Sequence, residues 1–257
     1  MRRFLSSLVL FLTQIYTVIC IVKMILFDGT VTQGLFPIPY SPFENCVQSC
    51  FEREDCLLAW EISNGSCAHY SYLNRPKDII VSRTGYPDGD YVAIKSHIPD
   101  DMCPTSFLDM DLYMTTPWND TYSWTTTDNG WSLNGCRDEW TRFEREQGTT
   151  VCLKTFRWAT NRNKADSKVL CQDIQANLTG IASVEESQWA HDELVEQNET
   201  YAYTAFWVDG EITCTNGTCD SLAVALLNNA KPKTIYTADS SSAALGGVCG
   251  YELRDEV

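Results

Sequence analysis

The sequence is short of positive charge and of histidine, and each shortage removes a class of function. Nineteen Lys and Arg stand against 34 Asp and Glu, a formal net charge of −15. Spread along the chain, that charge repels phosphate backbones and anionic headgroups, so no nucleic-acid partner is expected. The three histidines, His69, His97 and His191, lie in no HExxH motif, near no Gly-x-Ser-x-Gly elbow and beside no suitably spaced cysteine. His191 reads as a surface or half-buried residue of a helix. Glu185, Glu186 and the Glu252–Glu256 stretch read as solvated charges and helix caps. A glycosidase would need two carboxylates across a cleft, a distance that a sequence does not state. The expectation is therefore no catalytic residues, no enzyme and no cofactor. Beyond residue 22 there is also no second apolar run of bilayer-spanning length.

What is present points to export. Arg2 and Arg3 precede a mostly apolar run from Phe4 to Val22, the pattern of a signal peptide over residues 1–20 with cleavage after Cys20. The alternative is an uncleaved signal anchor; if the signal is cleaved, no stable membrane insertion is expected. Twelve cysteines suit an oxidising compartment, and with Cys20 in the leader an odd eleven remain. Five Asn-x-Ser/Thr sequons, at Asn64, Asn119, Asn177, Asn198 and Asn216, are candidate glycosylation sites. A length of 257 residues allows one large domain or two of ordinary size.

Along the chain, Lys23–Gly29 reads as a strand closed by a turn signal. Pro37, Pro39 and Pro42 then keep the backbone extended. A short helix starting near Ser41 or Pro42 carries Cys46 and Cys50 on one face, i and i+4 apart. Cys56–Trp60 and Cys67–Tyr70 read as strands flanking an Asn64-Gly65 turn, and Tyr91–Ile94 as a closing strand. This constellation, Cys46-x3-Cys50-x5-Cys56-Leu57-Leu58-Ala59-Trp60 with the later Cys67, resembles the PAN/apple family, in the nematode-type variant found beside C-type lectin domains. The resemblance covers residues 23–97 and implies a helix tied to an antiparallel sheet by Cys46–Cys67 and Cys50–Cys56. The spacing alone leaves three pairings of these four cysteines open, and a zinc cluster is disfavoured because paired two-residue spacings are missing.

Residues 98–135 are polar and Thr-rich, with an aromatic hairpin around Asn129-Gly130. Tyr122, Trp124 and Trp131 are expected to pack on the following domain; stacking on sugar rings is the other use open to them.

From residue 136 to 257, Cys136-x3-Trp140-x2-Phe143, Cys152, Leu170-Cys171, Leu178-x2-Ile181-x4-Glu186 and Phe206-Trp207-Val208-Asp209-Gly210 resemble a C-type lectin-like domain: two helices with antiparallel sheets. Cys171 falls in or at the end of a helix after Asn163. Ser183-x-x-Glu186 is a capping box for a second helix, whose Trp189, Ala190 and Leu194 form a core stripe. Ala205–Val208 reads as a buried strand.

The sequence departs from that family where sugar-binding members hold calcium. The corresponding place carries Ala230-Lys231-Pro232-Lys233, and lysines supply no oxygen ligand and repel the ion, so no metal is expected. Trp118-Asn119-Asp120 precedes both helices and reads as a chance match to a calcium motif. No tryptophan follows Trp207 and no closing strand is evident, so the domain is expected to be incomplete or degenerate. The resemblance sends Cys171 to a cysteine near the C-terminus, where Cys249 alone stands, although the family normally pairs that position elsewhere; the full expected set adds Cys136–Cys152 and Cys214–Cys219, and leaves Cys103 free or linked to another chain. The fold class is α+β. The expected function is that of a secreted recognition protein that binds an extracellular glycan or protein ligand without calcium, in a role such as innate defence, as the resemblance implies, with ligand-binding residues unassigned. The alternative is a structural or adhesion module on a non-binding lectin-like scaffold.

Overall fold

The computed structural model of the protein describes residues 20–34, 38–40, 45–85, 90–99, 109–196, 203–211, 220–227, 235–239 and 243–254. Residues 1–19, most of the expected signal peptide, lie outside these, as do Cys103, Asn198, Cys214, Asn216, Cys219 and residues 230–233.

Strand-forming runs dominate the first half: β1 (Cys20–Gln33), β2 (Ile38–Tyr40), β3 (Cys56–Glu61), β4 (Cys67–Ser71), β5 (Ile79–Arg83) and β6 (Tyr91–Pro99), with helix α1 (Cys46–Glu52) between β2 and β3. β1 is longer than the strand expected at Lys23–Gly29 and begins at Cys20, the last residue of the expected leader. The helix begins after Asn45, later than Ser41 or Pro42. Gly65, at φ 83°, makes the β3–β4 turn.

Four short strands follow: β7 (Tyr113–Thr115), β8 (Thr121–Ser123), β9 (Thr125–Thr127) and β10 (Gly130–Leu133). β7 and β8 pair as a two-stranded sheet of their own. The first sheet runs β2-β4-β3-β6-β1-β5-β10-β9, so the β9–β10 hairpin extends it, with Trp131 opposite Val81. Tyr122, Trp124 and Trp131, expected on the following domain, are buried in the core of the first half with Leu57, Leu58 and Ile79. The reason is that β5 presents an open edge of backbone donors and acceptors, which β10 satisfies. Gly130 permits the close approach: a Cβ there would lie 2.1 Å from the Val81 carbonyl oxygen.

The second half comprises β11 (Thr141–Glu144), β12 (Thr150–Arg162), α2 (Lys164–Asp173), β13 (Asn177–Leu178), α3 (Val184–Glu196), β14 (Tyr203–Glu211), β15 (Asp220–Leu227), β16 (Ile235–Asp239) and β17 (Ala244–Leu253). Its sheet runs β11-β12-β17-β14-β15-β16, with β13 also on β17. Asn163 caps α2 by accepting the Asp166 amide at 2.8 Å, and Ser183 caps α3 by accepting the Glu186 amide at 3.1 Å. Ala190 and Leu194 meet Phe206, Val208 and Val248 in one cluster, with Trp189 packed against it.

Two expectations for this half are corrected. A closing strand exists: β17 lies inside the sheet, antiparallel to β12 and parallel to β14. Its Gly246-Gly247 and Gly250 resemble turn residues in sequence, yet they serve close packing, since a Cβ on Gly246 would lie 1.9 Å from the Phe156 carbonyl oxygen. Glu186 is not a solvated charge. It is buried, bound through both carboxylate oxygens to Arg145 at 2.8 and 2.9 Å, and also accepts the Ala182 amide.

Candidate functional site

Four disulfides pin the described structure: Cys46–Cys67, Cys50–Cys56, Cys136–Cys152 and Cys171–Cys249. The first two hold α1 against β3 and β4. A seven-residue helix is too short to persist by itself, so the bridges fix it. His69, fully buried beneath α1, donates its Nε2 proton to the Cys46 carbonyl at 2.9 Å and lies 3.3 Å from Cys67 Sγ. Burial lowers its pKa, more than the Cys46 hydrogen bond raises it. Cys46, Cys67 and His69 bring three potential metal-binding atoms within 4.8 Å of one another, but sulfurs joined in a disulfide offer no thiolate to an ion. The buried Lys95 Nζ donates to the Phe51 and Arg53 carbonyls at 3.0 and 2.6 Å, placing a cation at the C-terminal end of α1.

A second concentration of polar residues joins the two halves. Arg137, 3 % exposed, donates to Asp120 at 2.9 Å and to the Ile174 and Gln175 carbonyls at 2.7 and 3.3 Å. Its guanidinium carbon sits 5.3, 5.1 and 4.7 Å from the ring centroids of Trp118, Trp140 and Tyr251. The Arg137 amide donates to the Tyr251 hydroxyl at 2.8 Å, and burial raises the pKa of that phenol. Alongside, the Arg254 amide donates to the Arg75 carbonyl and the Lys77 amide to the Arg254 carbonyl, Arg142 binds both oxygens of Asp78, and Gly135, at φ 78°, permits a close approach at which a Cβ would lie 2.1 Å from the Pro76 carbonyl oxygen. Among the described residues, the four non-glycine positions with positive φ, Arg75, Asn119, Glu139 and Gln175, all lie at this seam or within two residues of Arg137 or Asp120. Backbone held in that region marks positions that the surrounding structure over-determines.

Three concave surfaces flank these clusters. A groove of about 420 Å³ beside α1 is lined by Val22, Phe51, Lys95, His97, Met114 and Pro117; Phe51 is 41 % exposed at its rim, and His97 stacks on Tyr113. A cleft of about 300 Å³ at the seam takes Arg75 from the first half and Arg145, Asn177, Thr179, Tyr251 and Arg254 from the second. A wider depression of about 770 Å³ next to it is lined by Glu144, Glu146, Glu185 and Glu252 with Arg145.

The residues singled out in sequence are distributed unevenly over these surfaces. Asn64, Asn119 and Asn177 are exposed, and Asn177 lines the seam cleft. His69, His97 and His191 lie far apart in the fold: beneath α1, beside the groove, and on α3. Trp118 and Asp120 of the expected chance motif face Arg137. Arg75, Arg137 and Arg145 gave no signal in sequence, because an arginine's partner is set by tertiary contact and these partners lie 17 to 100 residues away.

Residues 24–96 match the family of PAN-like domains, which is the region of α1, its two disulfides and β1 to β6. No curated protein matches the chain. Domains of the PAN-like family commonly bind protein or carbohydrate. Among the described residues, no helix is long and apolar enough to cross a membrane.

Proposed function

We propose that the protein is an extracellular recognition protein in which a PAN-like domain and a C-type lectin-like domain form one binding body, taking a protein or carbohydrate ligand without calcium and without catalysis. The observation that carries the reading is the groove beside α1 on the PAN-like domain, an apolar concavity with Phe51 exposed at its rim; exposed aromatics beside a preformed depression are the usual anchors of recognition surfaces. For the second half, two helices and a bridge from Cys171 in α2 to Cys249 in the last strand support the lectin-like reading. Calcium independence rests on the sequence, which carries Lys231 and Lys233 at the positions that correspond to the oxygen ligands of sugar-binding C-type lectins. Export is supported by the four disulfides and the exposed sequons.

The structural-module alternative keeps one specific support: Trp118, Trp140 and Asp120, which could have served a ligand, are engaged by Arg137 within the chain. Binding of the purified protein to a glycan array and to cell surfaces, with and without chelator, separates the readings. Chelator-insensitive binding that is weakened by Phe51→Asp at unchanged melting temperature is expected. Binding that requires calcium would overturn calcium independence, and silence on every surface would favour the scaffold.

A further inference from the structure

We infer that the seam cleft is the seat of this chain's own N-linked glycan, carried on Asn177. The inference rests on the export proposed above. Asn177-Leu178-Thr179 is a sequon on β13 in which Leu178 is buried while the asparagine is exposed and lines the cleft together with Thr179. Opposite Asn177 in the β13–β17 register stands Gly250, which contributes no side chain to that wall; a Cβ there would lie 2.6 Å from Leu153 Cδ2. The cleft, about 300 Å³, has the dimensions of a small-molecule site, with walls from both halves of the chain.

Its chemistry suits a neutral sugar. Arg75 and Arg254 bring N–H donors, Glu252 brings an acceptor, and Thr179 brings both. Arg145, the third arginine at the wall, is already bound to Glu186 and to the Gly180 carbonyl, so its charge is met inside the protein. Hydroxyls and the N-acetyl carbonyl of the first sugar can therefore bind donors and acceptors without importing a charge. Attachment to Asn177 places that sugar in the cleft at a high effective concentration, against which a free ligand competes poorly. Seated between Arg75 of the first half and Arg254 of the second, the glycan bridges the seam.

The test is site-resolved deglycosylation of the full chain made in secreting cells, followed by mass spectrometry at Asn64 and Asn177. Under native conditions the Asn177 glycan should be released at least about tenfold more slowly than the Asn64 glycan, equivalent to about 1.4 kcal/mol of local opening before cleavage. After denaturation the two should be released alike, and Arg254→Ala should speed native release at Asn177 alone. Equal native rates in the parent protein, or slow release unaffected by both Arg254→Ala and Arg75→Ala, would overturn the seat. So would an unmodified Asn177 beside a modified Asn64, with export left standing. Sequons unmodified throughout would overturn export and the seat together.

Discussion

His69 is a buried ring whose surroundings fix its charge. With Nε2–H donated to the Cys46 carbonyl and no exposure to solvent, protonation in the folded state is disfavoured, so its folded pKa lies below 6.5. The unfolded chain then binds a proton that the folded chain refuses, and stability present above pH 6.5 falls as pH drops from there toward the folded value. Melting temperatures taken between pH 7 and pH 5 should decline more steeply for the parent protein than for His69→Gln; parallel declines would show that the ring does not set the slope. Asp55 titrates at lower pH. Burial raises its pKa, but hydrogen bonds from Arg53 and Ser71 outweigh that and leave it below 3.8, so its contribution is lost only as pH falls through that lower range. Nothing in the sequence marks His69 as a core residue, because its hydrogen-bond partner is the Cys46 carbonyl, brought in by α1 from 23 residues away.

At the level of elements, the disulfides differ in the chain length they close, and so in what they remove from the unfolded ensemble. Cys171–Cys249 spans 78 residues, Cys46–Cys67 spans 21 and Cys50–Cys56 spans 6. Chain-entropy reasoning gives about 4.5, about 3.3 and about 2.2 kcal/mol respectively. Paired Cys→Ala variants compared by urea denaturation should follow that order, and a larger loss for Cys50–Cys56 than for Cys171–Cys249 would show that native-state geometry, not loop closure, governs these bridges. Elements with strong local signals were legible in the sequence: α2 and α3 through Asn163 and Ser183, the β3–β4 and β9–β10 turns through Asn64-Gly65 and Asn129-Gly130. β17 was not, because its glycines are there to let Phe156 and Leu153 approach, a requirement visible only across the sheet. The partnership of the β9–β10 hairpin was hidden for the same reason, since it depends on the open edge of β5.

For the whole molecule, the sequence suggests two modules with a connector, and in the structure Arg137 ties Asp120 of that connecting stretch to Ile174 and Gln175 of the second half. Cysteine spacing and family resemblance made the PAN-like half readable, and residues 24–96 match that family. The seam was unreadable because it draws on Arg75, Asp120, Arg137, Gln175 and Arg254, none of them near a partner in sequence. Within it a buried guanidinium is held by one carboxylate, two carbonyls and three aromatic faces. Removing it strands Asp120 in a largely buried place, for which about 3–5 kcal/mol is typical; a lysine could not span the same fork of acceptors.

That seam joins the two halves of the chain into one cooperative unit, and calorimetric unfolding of the intact, disulfide-bonded chain tests it most directly. The account predicts one cooperative transition, with calorimetric and van't Hoff enthalpies equal, that separates into two in Arg137→Ala. Two independent transitions in the parent protein, or a single transition unaltered by Arg137→Ala, would contradict it.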